Sequence, residues 1–64
     1  DKELFFKLVQ DSFKMKRKNL KNNLKSYDLE KISKVLYSYG LDLTVRAESI
    51  SLHCFVDMAN ELSK

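Results

Sequence analysis

Six cations fall between residues 14 and 25 with no acid among them: Lys14, Lys16, Arg17, Lys18, Lys21 and Lys25. That segment carries +6 in a chain whose net charge is +3, so the remaining residues sum to −3. A local positive field of this kind attracts polyanions whatever fold carries it. The cations can meet phosphates, and Asn22 and Asn23 offer amides to phosphate or sugar oxygens. Read as a helix, at about 100° per residue, the segment places Lys14, Lys18, Lys21 and Lys25 within an arc of roughly 60°. Phe13, Leu20 and Leu24 then lie roughly 80° to 120° away, facing a core. Lysines on one line suit successive phosphates; a solvated helix face is the competing explanation.

Arg17 stands apart on this wheel, close to the Phe13 and Leu20 side. A guanidinium at the edge of a buried stripe needs a partner, because an unpaired buried charge is costly. Glu48 is the candidate, with Arg46 nearby in sequence, so a structural ion pair of Arg17 with Glu48 competes with an outward, phosphate-binding Arg17. Tyr27, Tyr37 and Tyr39 could stack on bases, but at helical spacing they read better as packing at the edge of a core.

Catalytic chemistry is poorly supplied. His53 is the only histidine and Cys54, its neighbour, the only cysteine. Adjacent residues on a helix point about 100° apart, so they do not make a nucleophile and its base. A zinc site needs three or four ligands at defined spacings, and none are set out here. Phosphate loops need several glycines, and the chain has Gly40 alone. The carboxylate pairs Asp28 with Glu30 and Asp57 with Glu61 read as solvated helix positions. No metal, no cofactor and no catalytic residue are therefore expected in this chain.

The elements that must position the basic segment read as helices. With 64 residues, one glycine and no proline, the chain has room for one domain and lacks the punctuation of sheets. Phe5, Leu8, Val9 and Phe13, widened by Leu4 and Phe6, form one 3.6-residue stripe and predict a helix over 2–15. Leu20 and Leu24 predict a short second helix over 17–25. A third, over 28–39, has Ser26 and Asp28 at its start, Leu29, Ile32, Val35, Leu36 and Tyr39 inward, and Gly40 as its terminating residue. Leu52, Phe55, Val56, Ala59 and Leu62 predict a fourth over 51–62, capped by Ser51 or Ser49. Residues 40–50, with Leu41, Leu43 and Val45 alternating, are expected as an extended loop. The fold class is thus all-α, a small bundle of about four short helices forming one domain over 1–64.

The chain opens on Asp1 rather than Met, so a fragment or processed product is expected. No apolar run of 18 residues suits a membrane span. A lone cysteine fits a reducing compartment, and a cytoplasmic monomer is expected.

Two segments resemble a known family. Phe13-Lys-Met-Lys-Arg-Lys-Asn-Leu-Lys-Asn-Asn-Leu24 is similar to the F-x-Q-R-R-K-x-L-x-N-x-L signature of the small-subunit ribosomal RNA adenine dimethyltransferases. Gly40-Leu-Asp-Leu-Thr-Val-Arg-Ala-Glu-Ser-Ile-Ser-Leu52, followed by Phe55, looks like their G-I-D-x-x-x-R-A-E-x-L-S-x-x-x-F stretch. Met15 and Lys16 depart from the first pattern. Arg17, Lys18, Leu20, Asn22 and Leu24 keep it, and Gly40, Arg46, Glu48 and Ser51 keep the second. Lys16 retains charge without the bidentate fork of arginine.

The resemblance implies the small C-terminal helical domain of a larger enzyme. Its Rossmann-like N-terminal domain, absent here, would bind S-adenosylmethionine and methylate two adjacent adenines near the 3′ end of small-subunit RNA. The present chain would dock that enzyme on the immature small ribosomal subunit. On this reading Lys14, Lys16, Arg17, Lys18, Lys21, Asn22, Asn23 and Lys25 are the RNA-binding candidates. Arg17, Arg46 and Glu48 are the structural ion-pair candidates. The alternative is a domain that packs on the N-terminal catalytic domain and shapes its cleft with little RNA contact; that role predicts an exposed apolar patch. A free-standing helix-turn-helix DNA binder fits less well, since the short lysine-rich second helix offers little base readout.

Overall fold

The computed structural model describes residues 2–64; Asp1, the first residue of the expected domain, lies outside them. Four α-helices follow in order: α1 (Lys2–Ser12), α2 (Leu20–Asn23), α3 (Leu29–Ser38) and α4 (Leu52–Leu62), with a 3-10 turn at Ala47–Ser49 before α4. The expected all-α bundle is what forms, and no strand occurs among the described residues.

The ends of α3 and α4 follow from local chemistry. Asp28 caps α3, its carboxylate accepting from the Lys31 amide at 3.4 Å. Ser51 caps α4, its hydroxyl accepting from the Cys54 amide at 3.2 Å. At the end of α3, Gly40 takes φ 74°. The Gly40 amide donates to Tyr37 O at 3.0 Å and the Leu41 amide to Leu36 O at 2.8 Å. This is a Schellman ending, in which left-handed backbone lets the last carbonyls be satisfied.

The first half departs from the periodic reading. The first helix stops at Ser12, three residues before the expected end, and the second shrinks from 17–25 to Leu20–Asn23. Asn23 is the cause. Its side-chain amide donates to Ser12 O at 2.9 Å and to Met15 O at 3.1 Å. Those carbonyls would face the next turn if α1 continued. At the start of α2, the Leu20 and Lys21 amides donate across to Val45 O at 2.9 Å and Leu43 O at 3.1 Å, not back along the chain. Residues 13–19 are left as turns and bends. The expected extended loop is also broken by the 3-10 turn at Ala47–Ser49.

The core joins Leu8, Leu20, Leu24, Ile32, Leu36, Cys54 and Met58, each fully buried, with Val35, Ala47, Phe55 and Ala59 beside them. The buried face of α4 is rotated from the expected stripe: Cys54 and Met58 are inside while Leu52 and Val56 stand 68% and 41% exposed. Phe6 on α1 is 62% exposed and Phe13, just past its end, 48%, so neither takes the inward place that the stripe predicts. Tyr39 also leaves the expected inward stripe of α3 and stands exposed. No helix is long and apolar enough to cross a membrane among the described residues.

Candidate nucleic-acid interface

All six cations of the basic segment are exposed, but they do not lie on one helix. Lys14, Lys16, Arg17 and Lys18 sit on the loop of residues 13–19, Lys21 on α2, and Lys25 just past it. The single line of four lysines therefore does not form. What replaces it is a braced loop. The Asn23 amide reaches Ser12 O and Met15 O, and Lys18 O at 3.5 Å, so one side chain ties both ends and the middle of the cationic turn. The Ser12 hydroxyl, buried, donates back to Leu8 O at 2.7 Å and anchors the loop's entry.

The asparagines are thus internal fasteners more than phosphate ligands. Asn23 spends its donors on the loop, and Asn22 donates from its side chain to Asn19 Oδ1 at 3.0 Å. Asn19, which the basic-face reading passed over, is the cap of α2, accepting also from the Asn22 amide at 3.1 Å. The preference of asparagine for that position, directly before Leu20, is the sequence signal that locates it. With Leu20, Lys21 and Asn22 amides all engaged, the start of α2 has no donors to spare for an anion.

The expected ion pair is not made. Among the described residues the ion pairs are Lys34–Glu61 at 3.6 Å and Lys64–Glu61 at 3.2 Å; Arg17, Arg46 and Glu48 are in neither. Arg17 is exposed because the helix that would have turned it inward ends at Ser12. Glu48 instead faces a cleft of about 210 Å³ lined by Phe13, Met15, Lys16, Lys18 and Arg46, with Ser12 and Ala47 beneath. The backbone bonds from Leu20 and Lys21 to Val45 and Leu43 bring the two sides together. The two sequence segments singled out above, distant in the chain, meet along this cleft.

The tyrosines are mostly engaged elsewhere. The Tyr27 hydroxyl donates to Asp11 Oδ2 at 2.6 Å. Burial first, and then that bond and the Asp11 charge, push its pKa up to about 12. The Tyr39 hydroxyl donates to Asp57, which likewise raises it to about 12. Tyr37, on α3, is 69% exposed and lines a hollow with Leu29 and Leu43.

His53 is exposed, whereas Cys54 is fully buried, with its sulfur 3.9 Å from Met58 Sδ. Burial, with a smaller push from Asp57, raises the Cys54 thiol and holds it protonated. A buried protonated thiol is a poor nucleophile. No group of three or more His, Cys, Asp or Glu side chains set to hold a metal occurs among the described residues.

The chain is similar along nearly its whole length to three bacterial proteins called Ribosomal RNA small subunit methyltransferase A. That of Oceanobacillus iheyensis is 38% identical over 65 residues, covering 94% of this chain and 22% of the relative. That of Ureaplasma urealyticum is 38% identical, covering 100% of this chain and 23% of the relative. That of Cytophaga hutchinsonii is 41% identical over 66 residues, covering 98% and 23%. The chain thus spans under a quarter of the length of these relatives. No protein-family model matches it, and no solved structure does. On identity that runs from end to end of its helices, the chain belongs to the ribosomal RNA small subunit methyltransferase A family.

Proposed function

We propose that this chain is a C-terminal RNA-docking domain, which holds a ribosomal RNA methyltransferase against the immature small ribosomal subunit in the cytoplasm. Methyl transfer from S-adenosylmethionine to adenines would belong to the larger part of the protein. The observation that carries this reading is the braced cationic loop: four exposed cations on a turn fixed by Asn23 and two more just beyond it, none in an ion pair. A mere solvated face has no need of such bracing. Contacts of this kind read backbone shape and charge more than sequence.

The test is binding of the 64-residue chain to small-subunit ribosomal RNA across a salt series, beside Lys14, Lys16, Arg17 and Lys18 changed together to Gln. If about four phosphates are neutralised, log affinity falls against log salt with a slope near −3. The variant should lose most of that slope while keeping its helical spectrum. An unchanged slope in the variant would place RNA binding elsewhere.

A second reading has its own support. Phe6, Leu52 and Val56 expose apolar surface between α1 and α4, as a domain that packs on another requires. Phe6 and Leu52 line a groove with Phe5, Val9 and Phe13, and Val56 lines a second hollow with Phe5 and Phe6. Leu52→Lys with Val56→Lys in the whole methyltransferase tests it. Unaltered methyl transfer and an unaltered scattering profile would dismiss a packing role for that face.

A further inference from the structure

We infer, on the RNA-docking reading above, that the cleft between the basic loop and the 3-10 turn receives one unpaired RNA base carrying an exocyclic amino group. Its makeup is wrong for a simple phosphate site. Lys16 and Lys18 on one wall and Arg46 on the other suit an anion, but Glu48 shares the cleft and repels one. A carboxylate accepts from amino groups, as acidic side chains do from the N4 amino group of cytosine. Phe13 and Met15, 48% and 52% exposed, present to the cleft an apolar wall that a phosphate does not use. Unpaired bases are held in this manner, on an aromatic or apolar surface with their edges bonded and their phosphates on cations.

The size agrees. At about 210 Å³ the cleft is below the roughly 300–1,000 Å³ of sites for cofactors and drug-sized ligands, and matches a single planar ring system. The four charged side chains are uncommitted: among the described residues none of Lys16, Lys18, Arg46 and Glu48 joins an ion pair. The cleft is also built, not incidental. Asn23 fixes the loop that carries Met15, Lys16 and Lys18, and the amides of Leu20 and Lys21 fix the strand of backbone leading to Arg46. Phosphates flanking the base would lie on Lys16, Lys18 and Arg46, with the base against Phe13 and Met15 and its amino group on Glu48.

Three RNA hairpins that differ at one position test this: one with a bulged cytidine, one with a bulged uridine and one fully paired. Anisotropy at fixed salt should show the cytidine bulge bound about tenfold tighter than the paired hairpin, the size expected of one stacked base. The uridine bulge should fall between. Glu48→Gln should erase the preference for cytidine over uridine, and Met15→Ala should weaken both bulges. Met15→Ala should not alter binding to the paired hairpin or its salt slope, whereas Glu48→Gln, which removes a repulsive charge, should tighten the paired hairpin slightly. Both positions are exposed and outside the core, so the variants retain the fold, and Phe13, which packs on Phe55 at 6.2 Å, is left untouched. Equal affinity for bulged and paired hairpins overturns the inference, as does a bulge preference that survives both substitutions. Absence of salt-dependent binding to any hairpin sinks the docking reading and this inference with it. Salt-dependent binding without bulge preference sinks the inference alone.

Discussion

Replacing Asn23 separates a fastener from a phosphate ligand, because only the first role predicts a loss of stability. The Asn23 amide makes two bonds of ordinary length, to Ser12 O and Met15 O, and a longer one to Lys18 O. At roughly 0.5–1.5 kcal/mol net for each good bond, Asn23→Ala loses about 1–3 kcal/mol. The better helix propensity of alanine returns about 0.5 kcal/mol within α2. The expected net loss is therefore about 0.5–2.5 kcal/mol. Asn23→Asp keeps the shape but replaces the donor with a carboxylate facing carbonyl oxygens. It should cost more than the alanine change, about 2–4 kcal/mol, because partial negative charges now meet a full one.

Urea denaturation followed by circular dichroism measures both. With a slope of about 1 kcal/mol/M for so small a domain, the midpoint should fall by about 0.5–2.5 M in Asn23→Ala and further in Asn23→Asp. A phosphate-binding Asn23 predicts instead that neither variant is destabilised. Wild-type stability in Asn23→Asp would refute the fastener argument outright. The same variants should bind RNA more weakly with an unchanged salt slope, since the cations remain but their arrangement loosens.

Two further outcomes follow from the geometry. Gly40→Ala should destabilise by about 1–2 kcal/mol, because the φ of 74° is strained for any Cβ, and by strain alone, since nothing lies within 4 Å of the added atom; thermal melting should show a drop of roughly 4–8 °C per kcal/mol, and Gly40→Asn a smaller one. For Tyr27, whose hydroxyl is raised from 10.0 to about 12, the Asp11 bond contributes fully below pH 10 and is lost as pH rises through 12. Tyr27→Phe should thus lower stability by about 1–2 kcal/mol at neutral pH, with the gap to wild type closing between pH 10 and 12; a gap that is constant with pH would contradict it.

Where the fold could be read in the sequence, short-range chemistry decides it. Asp28, Gly40 and Ser51 each act within three or four residues, and each does in the structure what its type and position predict. The basic segment misleads because no glycine or proline interrupts it, so helical period carries through by default. What ends the helix at Ser12 is a side chain eleven residues later, and periodicity holds no record of that contact. The only hint lies in composition, in Asn19, Asn22 and Asn23, whose side chains compete with backbone for hydrogen bonds. The Arg17–Glu48 pairing fails for the same reason, since it was drawn from the wheel of a helix that does not exist there. Glu48 was nonetheless placed beside the basic segment; its neighbours are Lys16 and Lys18 instead of Arg17.

The two faces named in the proposed readings are not separate surfaces. Phe13 lines the basic cleft with Met15, Lys16 and Arg46, and it also lines the apolar groove with Phe6 and Leu52. It rests on Phe55 of the core at 6.2 Å, so its ring is held where α1 ends and the cationic loop begins. A second domain seated on the groove would therefore reach the edge of the cleft proposed to receive RNA. Docking and interdomain packing then become adjoining parts of one continuous surface. A change such as Leu52→Lys, on the groove but outside the lining of the cleft, should leave RNA affinity of this chain unchanged while altering how the whole enzyme presents that RNA. Loss of RNA affinity by the isolated chain on Leu52→Lys would show that the groove itself contacts RNA, and the division of labour would fail.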